Sequence, residues 1–149
     1  MPSVIQALLT NRAVAFAARV ILTFPFWGSG LDKLINFSGG VAEMRQFGLE
    51  PAILFNIAVF TTQLVGAALI ISGRHVWLGA GALGIFTALT IPIVHRFWAM
   101  QGPDALHAFH TAGEHVGMIG GLITVSILAA RTHRVPSGEI AMPQVVMAR

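Results

Sequence analysis

Charged and apolar positions are very unevenly distributed along this chain. No charged residue occurs between Glu50 and Arg74, nor between Arg74 and Arg96, and both gaps are densely apolar. Each can supply the roughly 20 apolar residues that a helix needs to cross a hydrocarbon layer of about 30 Å. Two more apolar stretches, Ala13 to Leu31 and Gly113 to Ala130, complete the pattern. It predicts an all-α, four-transmembrane-helix bundle with helices over 13–35, 52–72, 76–95 and 104–130.

The polar punctuation refines these limits. Pro51 suits the first turn of the second helix, and Ser72–Gly73 is a natural stop before the short Arg74–His75 turn. So short a turn makes the second and third helices an antiparallel hairpin. Between the first two helices Gly39–Gly40 is expected to break the chain. Val41, Met44 and Phe47 then recur at helical spacing beside Glu43, Arg45 and Gln46, the pattern of a short interfacial helix. Residues 1–131 form one membrane domain in this reading. Residues 132–149, with Pro136, Ser137, Gly138 and Pro143, form an extended or disordered cytoplasmic tail.

Composition agrees with a lipid solvent. Of 149 residues 55% are hydrophobic and only 10% charged, against about 25% charged in soluble domains. The net charge of +3 comes from scattered residues and is no nucleic-acid footprint. With no cysteine, thiol catalysis and thiolate-held iron–sulfur clusters are excluded. The first apolar run follows no basic cluster and continues into Asp32–Lys33, so it is expected to be a retained helix rather than a cleaved signal.

Charge asymmetry gives the topology. The N-terminal segment, the Arg74 turn and the C-terminal tail share one face, with Arg12, Arg19, Arg74, Arg131, Arg134 and Arg149 against Glu139. The other face holds Lys33, Arg45 and Arg96 against Asp32, Glu43, Glu50, Asp104 and Glu114. The positive-inside rule then places both termini in the cytoplasm.

Chemistry is concentrated in a few residues. His107, His110 and Glu114 fall within one narrow arc at about 100° per residue, and Gly117 and Gly121 share that arc. Gly113, Gly117 and Gly121, like Ala80, Gly84 and Ala88, recur every four residues as helix-packing faces do. If the glycines mark a helix contact, His107, His110 and Glu114 cap it and face the bundle. Two imidazoles and a carboxylate, with His95 as a fourth contributor, could hold a metal ion. A proton relay or quinone contact, and an ordinary polar interface, are the other readings. Gln63, in mid-helix, needs a partner in hydrocarbon, either another helix or a ligand carbonyl. Arg19 must snorkel to the cytoplasmic face or pair with a buried group or anion. Asp32 and Lys33 read as interfacial anchors, and Trp27, Trp77 and Trp98 as an aromatic belt.

Arg19, Phe26-Trp27-Gly28-x-Gly30-Leu31-x-Lys33-Leu34, Phe47-Gly48-Leu49-x-Pro51, Gln63-Leu64-Val65-Gly66 and Gly73-Arg74 together resemble the DoxX family of small four-helix membrane proteins. The resemblance runs from about Arg19 to Glu114 and on through the last helix. It implies a bundle in the bacterial cytoplasmic membrane and, for some members, a subunit of an oxidoreductase that passes electrons to quinone. It also implies functional use of Arg19, Gly28, Lys33 and Glu114. Where relatives usually place glutamate in the second helix this chain has Gln63, a neutral amide that orients a ligand but carries no proton charge.

These observations converge on a membrane subunit of a quinone-linked or other redox complex. Its expected outer pocket is built from Lys33, His95, Arg96, His110 and Glu114 over a Gln63 floor, with Arg19 as a further ligand contact. Quinone and a histidine-held metal are the cofactors to look for, and the lipid bilayer, other subunits or further copies of the chain are the partners. A structural or assembly subunit is the alternative. A small-solute transporter fits less well, because Gln63 is the sole strictly internal polar group besides threonines.

Overall fold

The computed structural model describes residues 1–133, which are helical throughout with no strand. In chain order the helices are α1 (Ser3–Leu9), α2 (Arg12–Leu22), α3 (Phe24–Ile35), α4 (Phe37–Gln46), α5 (Ala52–Ser72), α6 (Val76–Ile93) and α7 (Gly102–His133), with a single 3-10 turn at Phe97–Ala99. Three stretches are long and apolar enough to cross a membrane: Ala52–Ser72, Val76–Ala99 and Gly102–Thr132. A fourth is reached if α1 and α2, which meet at 60°, count as one span.

The expected first helix over 13–35 is therefore two helices, divided at Thr23. Pro25 follows within the first turn of α3, where its missing N–H is least costly. The break frees carbonyls at the end of α2, and local groups take them up. The buried Thr23 hydroxyl donates to the Arg19 carbonyl at 2.7 Å, and the Trp27 indole N–H donates to the Val20 carbonyl at 3.1 Å. Trp27 is thus half-buried and tied to the backbone.

The second expected break also moves. Chain direction changes at Asn36, whose side chain accepts from the Gly39 N–H and caps α4. Gly39 and Gly40 lie inside α4 rather than ending the helix before it. Asn56 of α5 lies against Gly40, and a Cβ there would collide with Asn56 Oδ1. Val41 and Met44 pack on Ala52, with Leu49 and Val59 alongside. The apolar face of α4 is buried against α5.

Helices α5 and α6 form the expected hairpin. Gly73 ends α5 in the left-handed conformation (φ 74°), which glycine adopts without steric cost. Their backbones meet closely: a Cβ on Gly79 would lie 2.6 Å from the Gly66 carbonyl oxygen. The core joins α3, α5, α6 and α7 through Phe26, Ala67, Ile70, Val76, Ala80, Leu83, Leu122 and Ala129. Large apolar side chains such as Leu54, Trp77, Ile85, Val116 and Leu128 are exposed around the outside, as expected where lipid replaces water.

Helix α7 extends to His133, two residues into the stretch expected as tail, and residues 134–149 lie outside the described part. Its inward stripe is Ala108, Ala112, Leu122 and Ala129, with His115 and Met118 half-buried between them. Gly113 and Gly117 are exposed with open space beside them, and Gly121 alone of the expected triplet meets another helix, at Leu22. On α6 only Ala80 of the expected small-residue face is buried. The spacing located a real stripe of small residues on α7, but alanines form the inward one.

Candidate functional site

A cavity of about 440 Å³ opens between α3, α4, α5, α6 and α7, at the end of the bundle away from the α5–α6 hairpin. Most of its lining is apolar, including Phe26, Met44, Phe55, Val59, Leu89 and Met118. The polar lining is confined to Ser29, Lys33, Glu43, Gln63, Thr87, Thr90, His95 and His115.

These groups are connected. Lys33, only 8% exposed, places its ammonium 2.7 Å from Glu43 Oε2. A buried ammonium requires such a partner, because its desolvation is otherwise far too costly. Glu43 is on α4, so the ion pair joins that short helix to α3. Lys33 Nζ also donates to Ser29 Oγ at 3.4 Å, one turn back on the same helix. From α5, Gln63 Nε2 donates to the same oxygen at 3.3 Å. Gln63 is 4% exposed and its Oε1 has no hydrogen-bond partner. Asn56 Oδ1 is the other buried side-chain oxygen without one among the described residues, and Asn56 does not line the cavity.

The α6 wall adds Thr87 and Thr90. Both hydroxyl protons are spent locally, Thr87 donating to the Leu83 carbonyl and Thr90 to the Thr87 carbonyl, each at 2.7 Å. Their oxygens therefore face the cavity chiefly as acceptors. At its mouth the rings of His95 and His115 meet edge to face, 4.9 Å between centroids. His115 Nδ1 lies 2.8 Å from the Thr111 carbonyl. A carbonyl only accepts, so Nδ1 carries a proton and the neutral ring keeps its lone pair on Nε2.

Of the residues expected at the site, Lys33, Gln63 and His95 are brought together and line the cavity. Arg96, His107, His110 and Glu114 are exposed and do not line it. The arc of His107, His110 and Glu114 shares a face with Gly113 and Gly117, which turns outward. Among the described residues no three His, Asp or Glu side chains are grouped so as to hold a metal ion. The expected set His95, His107, His110 and Glu114 is accordingly not assembled within one chain. Arg19 lies at the opposite end, where its guanidinium abuts the hairpin at Gly73, Nη1 falling 2.6 Å from where a Cβ would stand. Gly28 is half-buried and outside the cavity lining.

Sequence reasoning missed Ser29, Glu43, Thr87, Thr90 and His115. The signal for His115 was present: Ala108, Ala112, His115 and Leu122 share one helical stripe. A stripe of alanines, rather than glycines, marked the buried face.

A family model described as DoxX matches residues 14–96, more than half of the chain. No match is found among curated proteins or among solved structures. The matched segment contains every polar residue of the cavity except His115.

Proposed function

The chain belongs to the DoxX family, and from that premise we propose that it is a quinone-binding membrane subunit of a redox complex, with the α3–α7 cavity as its site. The observation that carries this reading is Gln63. A buried amide with one half tied to Ser29 and the other half free, on the wall of a mostly apolar cavity, is arranged to orient a ligand with a small polar head. The apolar lining accommodates the ring and the start of its tail, and such pockets with few polar groups are typical of ligand sites. Lys33 and the two imidazoles supply charge and proton exchange at the head group.

In this proposal both termini are cytoplasmic, a reading supported by the excess of Arg in the N-terminal segment, the Arg74 turn and the C-terminal stretch. The cavity then lies toward the outer face of a bacterial cytoplasmic membrane, and α4 rests at that interface. Residues 1–131 act as one unit. Electrons reach the head group from a partner; the chain has no cysteine to hold an iron–sulfur cluster.

Purified protein extracted from native membranes is expected to retain quinone, measurable by solvent extraction and chromatography. Filling the cavity with Thr90→Phe is expected to remove that quinone while the protein stays folded and monodisperse. Equal quinone in wild type and variant would refute the site.

A second reading, a non-catalytic assembly subunit, is favoured by the outward face of α7. His107, His110, Glu114, Gly113 and Gly117 form an exposed polar and small-residue strip with open space beside it, a surface on which a partner helix could pack closely. A photocrosslinker at residue 117 that captures a subunit, in protein lacking quinone, would favour this reading.

A further inference from the structure

We infer that the cavity selects the reduced, hydroxyl-bearing form of its ligand, a hydroquinone, over the oxidised quinone. The inference rests on the quinone-site reading above and comes from the hydrogen-bonding capacity left uncommitted on the walls.

On the acceptor side, Gln63 Oε1 is buried and unpartnered. In its neutral form His115 keeps a lone pair on Nε2, because Nδ1–H is committed to the Thr111 carbonyl. Thr87 and Thr90 have given their protons to α6 carbonyls. On the donor side, Gln63 Nε2 is turned to Ser29, and two Lys33 protons serve Glu43 and Ser29. The Ser29 hydroxyl and the third Lys33 proton remain at the α3 edge, and a ring N–H of His95 remains at the mouth.

A ligand oxygen lodged between that edge and Gln63 can accept from α3 and, with a rotation of the amide that uncovers the buried Oε1, donate to it. A hydroxyl does both. A quinone carbonyl accepts only and leaves Gln63 Oε1 buried without a partner, an omission that costs about a factor of ten in binding. At the mouth His115 Nε2 can accept and the neighbouring His95 can donate, so a hydroxyl is matched there as well. The walls therefore complement a molecule with two hydroxyls.

The test uses the full chain in lipid nanodiscs under anaerobic conditions, with decylubiquinol and decylubiquinone as probes in equilibrium dialysis. Wild type is expected to bind the quinol about tenfold more tightly. Gln63→Leu is expected to lose about that factor for the quinol and little for the quinone. Ser29→Ala releases the Gln63 NH2, which can then turn toward a carbonyl, so the quinol-to-quinone ratio is expected to narrow. This second variant carries the test if Gln63→Leu does not fold. Equal or tighter quinone binding in wild type, or a ratio unchanged in both variants, overturns the selection and leaves the quinone site standing. Failure of both forms to bind overturns the site and the inference together.

Discussion

Lys33 shows how one side chain organises this molecule. A lysine near the end of an apolar helix reads as an anchor that snorkels toward headgroups, and from sequence that is its simplest role. Here it is almost fully buried and held by Glu43 from the neighbouring helix. The ammonium is buried while the Glu43 carboxylate is partly exposed, so removing Glu43 leaves a buried charge without compensation and costs more than removing Lys33. Glu43→Ala is therefore expected to lower the thermal midpoint in detergent more than Lys33→Met does, with a difference corresponding to about 1–3 kcal/mol. The opposite order would mean that the pair contributes little and that solvent reaches the ammonium. Gln63 was legible as a residue requiring a partner. Its partner, Ser29, was not, because a serine on an apolar helix carries no signal of the direction it faces.

Among the helices, long apolar runs were readable and breaks were not. The limits of α5 and α6 follow from Pro51, the Ser72–Gly73 stop and the uncharged stretches between Glu50, Arg74 and Arg96. The break at Thr23 lies inside an apolar run where hydropathy is silent, and it is stabilised by the Thr23 hydroxyl and by the indole of Trp27, which was read as part of an aromatic belt. The α7 face was misassigned for a similar reason. Glycine every four residues suggests close packing, yet α7 packs through alanine and leaves Gly113 and Gly117 open. Where glycine does permit contact, between α5 and α6, the neighbour is backbone and cannot yield. Gly79→Ala drives a Cβ toward the Gly66 carbonyl and is expected to destabilise the hairpin by about 1–3 kcal/mol, seen as a lower thermal midpoint. Gly84→Ala, with open space beside it, serves as the control and is expected to be neutral within about 0.5 kcal/mol.

For the whole molecule, charge distribution makes an independent prediction. The chain has no cysteine, so single cysteines introduced at exposed Gln101 and Arg74 report topology without background. An impermeant maleimide is expected to label residue 101 in intact cells, and residue 74 only after the membrane is opened. The reverse pattern would place the cavity on the cytoplasmic side and undo the orientation. The bundle, its hairpin and the grouping of Lys33, Gln63 and His95 were thus legible at this scale, while the rest of the cavity lining was not. It is made by five helices converging, and sequence periodicity describes one helix at a time.

The family match ends at residue 96, and α7 begins at Gly102. Four of the cavity's five walls come from the matched stretch, and the fifth, bearing His115, comes from beyond it. A binding chamber divided in this way can keep its floor and ion pair while its remaining wall changes. Grafting another member's final helix onto residues 1–101 would leave the Lys33–Glu43–Ser29–Gln63 network whole and replace His115 and Met118 of the lining. The last helix is the part of this protein on which ligand preference can diverge without rebuilding the rest.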